Sequence, residues 1–114
     1  QIPEMTVVGH NTATIRESLL EKAFELGEKF ITASKEHYDP GIIGPFCLQT
    51  CIDKDMNYAI YDVAPRLGGG TNVHMSVGHP YGNATWRKPV SSGRRIAMEL
   101  RRAVEQDRLL EVLT

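Results

Sequence analysis

The chain has 114 residues, enough for one hydrophobic core and too few for a multidomain enzyme. Its 13 Lys and Arg against 14 Asp and Glu give a formal charge of −1, so no basic field is present to hold a nucleic-acid backbone, and no apolar run approaches the roughly 18 residues that span a bilayer. Neither nucleic acid nor membrane is expected as a partner, and with no basic stretch leading into an apolar one near residue 1 the expected compartment is the cytoplasm.

In chain order, Met5 to Val8 is a short apolar run closed by Gly9, His10 and Asn11, which predicts a strand and a turn. Thr12 or Thr14 is a candidate helix cap, and Thr14 with Glu17 fits the capping-box pattern. Ile15, Leu19, Leu20, Ala23, Phe24, Leu26, Phe30 and Ile31 recur at helical spacing and predict an amphipathic helix over about 15–36. Gly27 interrupts it, at a cost of about 1 kcal/mol relative to Ala, unless a neighbour needs the space.

Asp39-Pro40-Gly41 and Gly44-Pro45 mark a loop. Beyond it, about 46–63 reads as a β-hairpin turning at Lys54-Asp55. That register sets Gln49 against Ile60 and Cys47 against Asp62. One face then holds Cys47, Gln49, Cys51, Tyr58, Ile60 and Asp62, with Gln49 diagonal to Asp62. The other face, with Leu48, Ile52, Tyr61 and Val63, is the more apolar and is expected against the long helix. Val73 to Val77 suggests a short strand and Gly78 to Gly82 a turn. Ser91 or Ser92 caps a last helix over about 93–106, buried along Ile96, Ala97, Leu100, Ala103 and Val104. Arg94 and Arg95 in its first turn oppose the helix dipole, and Glu99 four residues after Arg95 is the local answer. Leu109 to Leu113 is an apolar tail expected to fold back. The fold class is α+β: a small antiparallel sheet packed on two helices.

The stretch from Met56 to Asn72 concentrates the chemistry. A strand ends in Asp62, Pro65 stops the ladder, and Arg66 is followed by Gly68, Gly69 and Gly70. A carboxylate can hold a hard cation, an arginine can fork onto a phosphate, and glycines let backbone N–H groups approach an anion. Each feature also has a plain reading: a flexible loop, a capping Asp, a solvated Gln49. Cys47 and Cys51 lie about 13 Å apart if both are in one strand. That exceeds the roughly 7 Å a disulfide tolerates, so free thiols are expected. A zinc site from these cysteines with His10, His37, His74 and His79 stays open, although no pair has the usual spacing.

Gly-Pro-Phe-Cys-Leu-Gln at 44–49, Tyr-Asp-Val-Ala-Pro-Arg at 61–66, Gly-Gly-Thr-Asn at 69–72, Gly-Arg-Arg-Ile-Ala at 93–97 and Arg-Glu-Ser-Leu-Leu at 16–20 resemble the C-terminal portion of the archaeal formate-dependent FAICAR synthetases, ATP-grasp ligases of purine biosynthesis. In that family ATP and formate give formyl phosphate, and the amine of AICAR takes the formyl group. The resemblance implies that 1–114 is one C-terminal domain of a longer enzyme. It should be inactive alone, with an apolar face where its N-terminal domains dock, and a homo-oligomer is expected. It implies ATP and Mg²⁺ (or Mn²⁺) as cofactors, with Gln49 and Asp62 as metal ligands. The family normally carries Glu at the second position, one methylene longer. His10 stands near the family's AICAR-contacting Asn and is the implied substrate contact. Arg66 is the implied ATP phosphate contact, by analogy with ATP-grasp enzymes. The alternative is a non-catalytic or diverged paralogue, serving oligomerisation or a different carboxylate and amine.

Overall fold

In the computed structural model the residues described are 4, 6–11, 13–78 and 85–113, with the side chain of Asn72 excepted. Helix α1 spans Leu20–His37, after a 3-10 turn over Glu17–Leu19. Strands β1 (Cys47–Ile52) and β2 (Tyr58–Ala64) form a two-stranded antiparallel sheet. Helix α2 (Thr71–Val77), helix α3 (Ser92–Glu105) and a 3-10 turn over Leu109–Val112 follow. The α+β class holds, and no helix among the described residues is long and apolar enough to cross a membrane.

Local chemistry moved several expected boundaries. No strand forms over residues 6–8, where Val7 and Val8 stand exposed with no partner to pair with. Thr12 and Met5 lie outside the described residues, as does the turn expected over 79–82. Thr14 does not cap, because the first helical turn starts at Glu17 and Arg16 is its extended flanking residue. Val73–Val77 is helix rather than strand. Val73 and Val77 are four apart, so they share a helical face, and a five-residue run carries too few positions to distinguish the two periods. The backbone N–H groups of Val73 and His74 both donate to the Gly70 carbonyl, and Gly78, at φ +85°, ends the helix. The last helix begins as expected, with Ser91 Oγ accepting from the Arg94 N–H at 3.3 Å.

The hairpin turn is one residue longer than expected. Asp53 N–H donates to the Asn57 carbonyl at 3.0 Å, which leaves Lys54, Asp55 and Met56 as a three-residue loop with Met56 left-handed at φ +64°. The Asp53 carboxylate holds this loop by accepting from the N–H of Asn57 at 2.8 Å, the N–H of Asp55 at 2.9 Å and the Asn57 amide at 3.1 Å. The Asn57 N–H, then its side-chain amide, lower the Asp53 pKa from the ordinary Asp value. The stabilisation is therefore present above the unfolded-state value of about 4 and lost as pH falls through the depressed folded value. In the full-length protein Asp53→Asn should lower the urea midpoint at pH 7, and the gap to the parent should close on acidification. A gap that stays constant to pH 3 would exclude this role.

The core is thin. The buried apolar side chains among the described residues are Leu19, Ala64, Val90 and Ala103, and α1 buries none of its own. The hairpin meets α1 through the Phe30 and Phe46 rings, 4.9 Å between centroids, and through Tyr58 Oη donating to the Leu19 carbonyl at 3.0 Å. Gly27 is where the Phe46 ring comes close, within 4.0 Å of the position a Cβ would take. Ile60 and Val63 remain 38% and 37% exposed, and both outer edges of the sheet lack a further strand among the described residues. The accessible surface is 9427 Å², against roughly 6,200 Å² expected for a folded monomer of this mass.

Candidate metal- and anion-binding site

The Asp53 turn fixes the pairs Ile52 with Tyr58, Cys51 with Ala59, and Thr50 with Ile60. An irregularity then falls between Gln49 and Thr50, where β2 carries Tyr61 as an extra residue. Beyond it the pairs are Gln49 with Asp62, Leu48 with Val63, and Cys47 with Ala64. Asp62 is therefore directly opposite Gln49 rather than diagonal to it. Without the bulge Asp62 would oppose Leu48 and point to the other face. The longer turn, not the bulge, puts Tyr58 and Ile60 on the face of Leu48, Thr50, Ile52 and Val63, which replaces the apolar set read from the regular register.

Gln49 Nε2 donates to Asp62 Oδ2 at 2.6 Å, and Tyr61 Oη donates to Gln49 Oε1 at 3.4 Å. Gln49 is half-buried and Asp62 exposed. The pair offers hard oxygen donors, one of them anionic. That suits Mg²⁺ or Mn²⁺, which keep waters and substrate phosphate oxygens in the rest of their shell. Ligation by Gln49 requires its amide to turn so that Oε1 faces the ion. Among the described residues no group of three His, Cys, Asp or Glu side chains is placed to hold a metal. Cys47 and Cys51 are free thiols, and His79 lies outside the described residues.

The glycine run adjoins this face. A Cβ on Gly68 would lie 3.1 Å from Cys47 Sγ and 3.3 Å from Thr71 Oγ1. His10 covers the next two glycines: a Cβ on Gly69 would sit 3.4 Å from its Nε2, and one on Gly70 3.0 Å from its Cδ2. The loop thus lies between Cys47, on the Gln49 and Asp62 face, and the His10 ring. Arg66 is exposed and its Nη1 donates to the Leu67 carbonyl at 2.9 Å; no described contact joins it to Gln49 or Asp62.

Arg95 is held locally, as its spacing suggested, by an ion pair to Glu99 and by stacking over Trp86, 5.0 Å from the ring centroid. A groove of about 660 Å³ lies beside it, floored by Ile43, Leu67, Met75, Ile96, Leu100 and Ala103. Of the apolar tail Val112 lines the groove, while Leu110 and Leu113 stay exposed, so the tail folds back only in part. The groove joins residues more than sixty positions apart, and no local pattern announces it.

The match of the chain to known families covers all of it: residues 1–114 fit the family described as "Domain of unknown function (DUF1297)", and the chain belongs to that family. The chain is also 39% identical over 112 residues to the 5-formaminoimidazole-4-carboxamide-1-(beta)-D-ribofuranosyl 5'-monophosphate synthetase of Methanobrevibacter smithii, covering 98% of this chain and 31% of that protein. Proteins of the same name from Cenarchaeum symbiosum and Saccharolobus solfataricus are 39% and 41% identical, over 99% and 98% of this chain and 33% of each relative. The resemblance read from the short runs therefore extends over nearly the whole chain. The chain spans about a third of the length of these relatives.

Proposed function

We propose that this chain is the C-terminal domain of an ATP- and formate-dependent ATP-grasp ligase that formylates AICAR to FAICAR. The observation that carries the reading is the Gln49–Asp62 pair, two oxygen donors aligned by a bulge on one face of the hairpin. Bound there, Mg²⁺ (or Mn²⁺) would neutralise charge on the ATP phosphates as formate attacks the γ-phosphoryl group. Asp62 supplies the formal charge of the site and Gln49 a neutral oxygen once its amide has turned. Arg66 exchanges the Leu67 carbonyl for an ATP phosphate oxygen, a stronger partner for a guanidinium. His10, lying on the glycine loop, contacts the AICAR acceptor.

Residues preceding this domain in the full-length chain supply the adenine pocket and cover its apolar faces, so the domain alone does not turn over. The assembled enzyme is a cytoplasmic homo-oligomer. His10, an imidazole in place of the family's amide, favours a second reading, a paralogue with a different carboxylate or amine. Phosphate release from ATP by the full-length protein, with Mg²⁺ and formate and with or without AICAR, separates the two. Release that needs both formate and AICAR supports the synthetase. Release that ignores AICAR but responds to another amine supports the paralogue, and no release with any pair removes the ligase.

A further inference from the structure

Three consecutive glycines after a strand invite explanation by backbone freedom, but φ does not require it here. Positive φ among the described glycines occurs at Gly41, Gly44 and Gly78, not in the run at 68–70, and Gly70 sits at φ −84°, ψ −7°, which any L-residue adopts. The requirement is space. A side chain on Gly70 would begin 3.0 Å from His10 Cδ2, 3.3 Å from Cγ and 3.4 Å from Cβ. One on Gly69 would begin 3.4 Å from Nε2 and 3.5 Å from Cε1, with no other atom within 4 Å. The imidazole therefore spans both glycines, with its Nε2–Cε1 edge over Gly69 and its Cγ–Cδ2 edge over Gly70.

We propose that Gly69 and Gly70 are positioning residues that form a seat for the His10 imidazole, fixing the orientation in which the ring meets a polar group of the acceptor substrate, an amine or carboxamide on a heterocycle. The choice of acceptor rests on the function proposed above; the seat itself does not. Packing against two missing side chains orients a ring that is itself exposed, on a segment where residues 6–11 have no regular structure to hold it. A methyl group at Gly70 makes the ring give by a few tenths of an ångström, whereas one at Gly69 meets it near ordinary contact distance. The effects are therefore graded, with Gly70→Ala the larger.

The test has two readouts on the full-length protein with histidine ring carbons labelled. In the parent, nuclear Overhauser contacts join the His10 ring protons to the Gly69 and Gly70 Hα protons. Gly70→Ala should weaken them and shift the ring resonances, and Gly93→Ala, whose methyl meets nothing within 4 Å among the described residues, should leave both unchanged. In steady-state assays Gly70→Ala should raise the acceptor KM by about five- to twentyfold and change kcat by less than about twofold, the signature of a displaced binding contact. In a His10→Ala background the same substitution should raise KM by less than about twofold, because the two changes act through one contact. Absent contacts in the parent, or an undiminished KM effect without His10, would overturn the seat. Contacts present with KM unmoved by His10→Ala would keep the seat and remove His10 from the acceptor site.

Discussion

Asp62→Ala in the full-length enzyme should lower formate- and ATP-dependent turnover by a factor on the order of 10²–10³. The substitution removes the one formal negative charge of the Gln49–Asp62 pair, and a metal that neutralises phosphate charge is worth several kcal/mol at the transition state. The Mg²⁺ concentration for half-maximal rate should rise as well, which a purely structural lesion would not produce. Gln49→Ala should cost less, about 10- to 100-fold, since it deletes a neutral donor and leaves the charge. Asp62→Glu lengthens the side chain by one methylene to the residue the resembled family carries, and should retain most of the turnover. If Asp62→Ala stays within about threefold of the parent at saturating Mg²⁺, the metal lies elsewhere and the hydrogen-bonded pair serves the hairpin alone.

Expressed by itself, the 114-residue chain should unfold without a sharp transition, bind a hydrophobic dye such as ANS and show a shallow urea dependence. Its accessible surface of 9427 Å² exceeds the roughly 6,200 Å² expected for a compact monomer of its mass by about 3,000 Å². An isolated two-stranded sheet is marginal in water, and here the hairpin's contacts with the α1 region include the Phe30–Phe46 rings and the Tyr58 hydroxyl on the Leu19 carbonyl. Adding the residues that precede the domain in its longer relatives should restore a cooperative transition. A two-state melt of the isolated chain above about 50 °C would show that the thin core suffices and that the exposed faces need no cover.

The long elements were legible because they repeat a signal. The stripe from Leu19 to Ile31 and the one from Ile96 to Val104 each place apolar residues over several turns, so α1 and α3 stand within a few residues of their expected bounds. Features that rest on one side chain were not. The capping-box spacing at Thr14 did not foretell a start at Glu17, and five residues around Val73 read equally well as strand or helix. The hairpin register shifted because Asp53 accepts from backbone two and four residues ahead, which makes a three-residue loop better held than a two-residue one. The bulge at Tyr61 then added a second shift, and Asp62 reached Gln49 by a different route from the regular ladder. The packing of His10 on Gly69 and Gly70 spans about sixty residues and has no local signature at all.

The unpaired edges of the β1–β2 sheet bear on the order of synthesis. A bare strand edge is a template for pairing with other chains, and the danger is greatest while a protein is still being made. In the reading proposed above the domain comes last, so it would leave the ribosome when the remainder of its polypeptide is already available as a docking platform. Its open edges are then met within one chain at high effective concentration, before a neighbouring nascent chain can compete. Moving this domain to the front of the gene, with every residue kept, would expose the same edges for the whole translation time of the rest.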